Sequence, residues 1–65
     1  MTVGERIKKL REAAGITQQA LAEAAGYEDK ASLSMIESGK SGVPQKKLPL
    51  IAKALGVTPH YLETG

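Results

Sequence analysis

A small all-α domain, a compact bundle of five short helices, is what this sequence predicts, and three observations predict it. Apolar residues recur at three- and four-residue spacing and nowhere show the alternation of a strand. Threonine or aspartate stands ahead of four of the five apolar stretches, and glycine closes four of them. The interior has to be built from leucine, isoleucine, valine and alanine, because the 65 residues include no Phe, no Trp and only two Tyr. Side chains that small let helix axes approach closely, which suits short packed helices.

The first helix opens at Thr2, where Thr2-Val3-Gly4-Glu5 has capping-box spacing. Val3, Ile7, Leu10 and Ala14 define its inner face, and Gly15 ends it. Thr17 caps the second helix, "TQQALAEAAG", which turns Leu21, Ala22 and Ala25 inward, with Ile16 packing just ahead of the cap. Asp29 caps the third, "KASLSMIES", which ends at Gly39. Its inner side is Leu33, Ile36 and Glu37; Lys30, Ala31, Ser34 and Met35 fall outward and Ser32 lies at the edge. "KSGVPQK" is a loop. The fourth helix starts near Lys46 or Lys47, since Pro49 is acceptable only in a first turn, and buries Leu48, Ile51, Ala52 and Leu55 before Gly56. Thr58-Pro59 starts a final single turn through Leu62.

Composition narrows the function without choosing it. Nine Lys+Arg against seven Asp+Glu leave a net charge of +2, which permits a nucleic-acid partner but does not demand one. No stretch is long and apolar enough for a membrane span or a secretory signal, and cysteine is absent, so the expected location is cytoplasmic. Catalysis needs a constellation that the chain lacks. His60 is the sole histidine and reads as a surface residue; no base stands by Ser32, Ser34 or Ser38; Glu28 and Asp29, being adjacent, point to different faces. No metal, cofactor or small-molecule site is expected.

Two short helices, Thr17–Ala25 and about Lys30–Ser38, joined by a tight glycine-containing connection, have helix-turn-helix order. Ala22 lets the second cross the first closely, Gly26 permits the turn, and Leu33 and Ile36 anchor the second from below. Its other face stays free, and such a helix fits the major groove of DNA. The stretches "ITQQALAEAAG", "SLSMIESGKS" and "IAKALGVTPHYL" resemble the DNA-binding domain of the phage repressor and Cro family, the XRE-like helix-turn-helix class. "VPQKKLPLIAKALG" is similar to the fourth helix of compact phage repressors, and the likeness runs roughly from Gly4 to Leu62.

The resemblance implies a lambda-repressor-like fold with residues 1–65 as one DNA-binding domain, and a set of roles. Gln18 and Gln19 fall where the family touches a phosphate; Lys30, Ala31, Ser32, Ser34 and Met35 fall on its base-reading positions. Gly39, Lys40 and Ser41, with Lys46 and Lys47, fall beside the backbone across the groove, and Arg11 and Glu37 match a family pair tying the first helix to the recognition helix. Each position also has a plain role: solvated lysines, exposed glutamines, locally bonded serines, or a core-filling Met35. Tyr61 and Leu62 suit either core cover or a dimer contact. Two features depart from the family. The connection "GYEDKAS" is one residue longer, at Glu28, and the recognition helix has Ala31 and Met35 where glutamine, arginine or lysine is common. Apolar contact with a thymine methyl suits both. The expected function is a sequence-specific double-stranded DNA-binding transcriptional regulator, a repressor acting as a homodimer on a two-fold operator. The alternative is a protein-interaction module such as an antitoxin or a regulatory adaptor.

Overall fold

The computed structural model describes the whole sequence, Met1 to Gly65. It contains α1 (Val3–Ala13), α2 (Gln18–Ala24), α3 (Ala31–Glu37), α4 (Leu48–Leu55) and α5 (Pro59–Thr64), with no strand. α1 packs on α3 and α5, α2 packs on α3 and α4, and α4 packs on α5, so the five helices close a ring around one core. That core is Ile7, Leu21, Ala22, Ala25, Leu33, Ile36, Leu48, Ile51, Ala52 and Leu62. Every helix contributes to it, and three of the ten are alanines, as a bundle with close helix crossings requires.

Three of the five helix starts follow from threonine side chains. Thr2 Oγ1 accepts from Glu5 N at 3.1 Å while Glu5 Oε1 accepts from Thr2 N at 2.8 Å, a complete capping box. Thr17 and Thr58 accept from Ala20 N and Tyr61 N, each at 3.0 Å. Each threonine cap occupies an amide that the first helical turn leaves unpaired. α3 differs from the expectation: its N-cap is Lys30, with no side-chain cap bond, and regular helix begins at Ala31. Asp29 Oδ1 accepts from Ala31 N at 2.9 Å in a turn just ahead of the helix.

The capping box has an acid signature. The Thr2 backbone N–H, and after it the Thr2 hydroxyl, hold the Glu5 carboxyl below its ordinary 4.5. A lowered folded value stabilises the molecule above the unfolded pKa, and that contribution disappears as pH falls through the folded one. Glu5→Gln is therefore expected to flatten part of the stability loss between pH 4.5 and more acid conditions, read by urea denaturation at a series of pH values. An unchanged profile would remove the box from the account.

Beyond the start of α3, three elements differ from the sequence reading. Regular α4 begins at Leu48, because residues 45–47 form a turn in which the Pro44 carbonyl accepts from both Lys47 N and Leu48 N. Pro49 thus sits in the first turn, where its missing N–H costs nothing. α5 continues past Leu62 to Thr64, whose hydroxyl donates to the His60 carbonyl at 3.0 Å. Ala14 is exposed at the end of α1 rather than part of its inner face.

Gly4 carries a packing role that the capping box conceals. It is buried where α1 crosses the end of α3, and a Cβ built on it would overlap the Ile36 carbonyl oxygen. At the opposite edge of α1, Arg6 Nη1 donates to the Leu62 carbonyl at 2.7 Å and ties α5 in place.

Candidate nucleic-acid interface

α2 and α3 are joined by a turn whose geometry the sequence dictates. Gly26 has φ 83°, a left-handed value that side chains other than glycine disfavour. Around it Gly26 N donates to the Glu23 carbonyl at 3.0 Å and Tyr27 N to the Ala22 carbonyl at 2.9 Å. This Schellman pair ends α2 and throws the chain across toward α3. The residue after the glycine packs back on the helix, which is why Tyr27 lies against the core. The longer connection through Glu28 is accommodated with no non-glycine residue at positive φ.

α3 is seated by one face and open on the other. Leu33, Ile36 and Glu37 are buried, while Lys30, Ala31, Ser32, Ser34 and Met35 are exposed. Ala31, Ser34 and Met35 form one stripe at i, i+3 and i+4, with Ser32 to its side and Lys30 at its head. Met35 is 47% exposed, which excludes the role of core filler. The Ser32 and Ser34 hydroxyls make no bond within the chain, whereas Ser38 Oγ donates to the Met35 carbonyl at 3.1 Å. The open face therefore presents two unengaged hydroxyls, a thioether, a methyl group and one ammonium.

A buried ionic node holds that face still. Glu37 accepts from Arg11 Nε at 2.7 Å, from Arg11 Nη2 at 3.2 Å and from Gln18 Nε2 at 3.0 Å. Arg11 Nη1 also donates to the Ile16 carbonyl at 2.9 Å. One carboxylate thus joins α1, the start of α2 and the end of α3. The bond to Glu37 raises the Arg11 pKa further, against the opposing effect of burial. Glu37 ends α3, where the helix dipole disfavours an anion, so the guanidinium offsets that as well as the burial.

The expected phosphate-facing residues fall into two groups. Lys40, Ser41 and Lys46 are exposed around the loop after α3, beside Gly39. Gln18, Gln19 and Lys47 have partners within the chain: Gln18 on Glu37, Gln19 Nε2 on Glu23 Oε2 at 2.9 Å, and Lys47 Nζ on the Gly26 carbonyl at 3.3 Å. Lys47 Nζ also stands 4.9 Å from the centre of the Tyr27 ring. The Tyr27 hydroxyl is buried without a partner, and burial raises its pKa above 10.0. Sequence reasoning passed over Tyr27, although its place after the turn glycine signals a packed residue. Tyr61 is exposed while Leu62 is core, and His60 lies on the surface. No group of three or more His, Asp or Glu side chains has metal-ligand geometry.

The fold recurs in known proteins. A helix-turn-helix family model matches residues 7–62. The chain is similar to the P22 c2 repressor, solved in complex with synthetic operator 9T in the presence of Tl+, at 31% identity over 100% of this chain and 97% of that one, with TM-score 0.92. It is similar to SinR, the master regulator for biofilm formation, solved with DNA, at 35% identity over 94% and 97% with TM-score 0.83. A third likeness is to the restriction-modification controller protein C.AhdI from Aeromonas hydrophila, 32% identical over 92% and 89%, with TM-score 0.84. No curated protein matches the chain by sequence. The turn, the seated α3 and these likenesses agree over nearly the whole length: the chain belongs to the helix-turn-helix family, in its phage repressor and Cro-like, XRE-type branch.

Proposed function

We propose that the protein is a sequence-specific double-stranded DNA-binding transcriptional regulator, a repressor that lays α3 in the major groove. The observation that carries this is the one-sided burial of α3, with Ala31, Ser32, Ser34 and Met35 open and Glu37 locked beneath them. Relatives solved on DNA support it. Lys30, the two serines, Ala31 and Met35 read base edges and thymine methyls. Lys40 and Lys46, with Gly39 and Ser41, meet the backbone beyond the groove, and Gln18 and Gln19 meet it at the start of α2.

The molecule acts as a homodimer on a two-fold operator. Its longest dimension is 27 Å, shorter than the spacing of about 34 Å between half-sites one DNA turn apart, so reading both takes two copies. No helix is long and apolar enough to cross a membrane, and a regulator of this kind works in the cytoplasm. It is not an enzyme and uses no cofactor.

Selection of binding sites from a random double-stranded DNA pool tests the reading directly, because it reports preference, half-site spacing and symmetry together. A two-fold consensus is expected. Lys30→Ala should relax the preference at one position of each half-site by about 1–3 kcal/mol. Lys40→Ala and Lys46→Ala should instead weaken binding to all sequences and lower the slope of log K against log salt by about one each. Retention of no preferred sequence at moderate salt would favour the protein-interaction module.

A further inference from the structure

We propose that Lys47 is a positioning residue for the helix-turn-helix, a clamp on the turn between α2 and α3, and not one of the cations that neutralise DNA phosphate. The inference rests on the DNA-binding reading above and reassigns one of its lysines.

Lys47 differs from the other lysines of the chain in burial and in side-chain bonding. It is half-buried where the other six are exposed, and its ammonium alone among the seven makes an intramolecular hydrogen bond. Its ammonium does two things at once. It donates to the Gly26 carbonyl at 3.3 Å, just past the end of α2, where a cation also complements the helix dipole. It also covers the Tyr27 ring at 4.9 Å, within the range of a cation–π contact.

Both partners belong to the turn. Gly26 provides the left-handed residue and Tyr27 is the first residue after it, three positions ahead of Lys30. Lys47 stands at the head of α4, which packs on α2, so the clamp fixes the turn to a helix outside the motif. The space is filled, since a Cβ on Gly26 would stand 3.1 Å from the ammonium. An ammonium held this way has a short tether and a set direction. Phosphate neutralisation asks for neither, because loosely placed surface lysines suffice for it. A fixed turn is what the read-out does need, since it sets where Lys30 and Ala31 enter the groove.

The test pairs Lys47→Met, which keeps most of the apolar stem, with Lys47→Arg, which keeps a cation for ring and carbonyl. In the free protein, proton NMR should show the Lys47 ε-methylene shifted upfield by the Tyr27 ring, and Tyr27→Leu should abolish the shift. Amide exchange from Tyr27 to Ala31 should quicken in Lys47→Met and recover in Lys47→Arg. On the selected operator, Lys47→Met should lower the ratio of specific to non-specific affinity roughly tenfold while leaving the salt slope unchanged. Lys40→Ala, run beside it, should lower the slope by about one with the ratio kept.

A Lys47→Met slope lower by one with sequence preference intact would overturn the proposal and return Lys47 to the phosphate contacts. Absence of the ring shift, or unchanged exchange in Lys47→Met, would also overturn it. If the wild type prefers no DNA sequence, the DNA-binding reading fails instead. The exchange arm then still decides the clamp, for it if exchange quickens and against it if not.

Discussion

Gly4→Ala is expected to cost about 3 kcal/mol and to leave much of the chain unfolded at 37 °C. In most exposed helix positions the same change would stabilise by nearly 1 kcal/mol, because alanine is the better helix former. Here the sign reverses. Gly4 is buried under the end of α3, and the added methyl would overlap the carbonyl oxygen of Ile36. A flexible side chain could swing away from such a collision, but a backbone carbonyl inside α3 cannot. Relief requires α1 to lift off α3, which uncovers Ile7 and Ile36 together. A chain of 65 residues has on the order of 3–10 kcal/mol of stability in all, so a loss of this size is a large share of it. Thermal denaturation should show a fall in Tm on the order of 15 °C. Gly42→Ala is the control, since a Cβ there meets nothing within 4 Å and φ is not left-handed. If the two variants melt alike, the close crossing of α1 and α3 is not what Gly4 serves.

The contrast between these two glycines shows what was legible in the sequence. Helix boundaries could be read because they are local: Thr2, Thr17 and Thr58 bond to amides three residues on, and Gly26 answers to its own φ. Inner faces could be read for a similar reason, since Leu33 and Ile36 must share a side of any helix that contains both. Gly4 could not, because its partner is a main-chain oxygen 32 positions away, and no side-chain pattern advertises a carbonyl. The second partner of Glu37 was equally hidden. Arg11 matched a family pattern, but Gln18 reaches the same carboxylate only through the angle at which α2 crosses α3.

The lysines around the loop make the same point about the interface. By sequence, Lys40, Lys46 and Lys47 are three cations near one loop, and nothing separates them. The fold separates them, turning Lys46 to solvent and its neighbour onto Tyr27. Side-chain direction at the head of a helix depends on where the preceding turn ends, and that turn was misplaced by one or two residues in the sequence reading. The outward stripe of α3 was easier, because burial of Leu33 and Ile36 determines it.

Removing Glu37 should be the other large effect, and its form is diagnostic. Glu37→Met is expected to destabilise by about 3–5 kcal/mol, because it strands the Arg11 guanidinium at a buried site. Exposure is what decides this magnitude: the Arg11 and Glu37 side chains are 11% and 3% accessible, whereas a surface pair would be worth at most about 1 kcal/mol. Arg11→Met should cost a similar amount by leaving the carboxylate with Gln18 alone. The double variant Arg11→Met, Glu37→Met should recover most of the loss, since no unpaired charge then remains and two apolar side chains fill the space. Gln18→Ala, which removes one neutral donor, should cost only about 1 kcal/mol. Urea denaturation of the four variants checks the set, and additive single costs would show that the node is not one unit. The double variant also separates stability from recognition. Glu37 joins the start of α2 to the end of α3, the two helices that grip DNA on either side of the groove in the proposed mode. Methionines restore packing but no hydrogen bond to Gln18, so the double variant should fold well and still bind its operator more weakly than wild type. Because no phosphate contact is lost, that weakening should leave the salt slope unchanged.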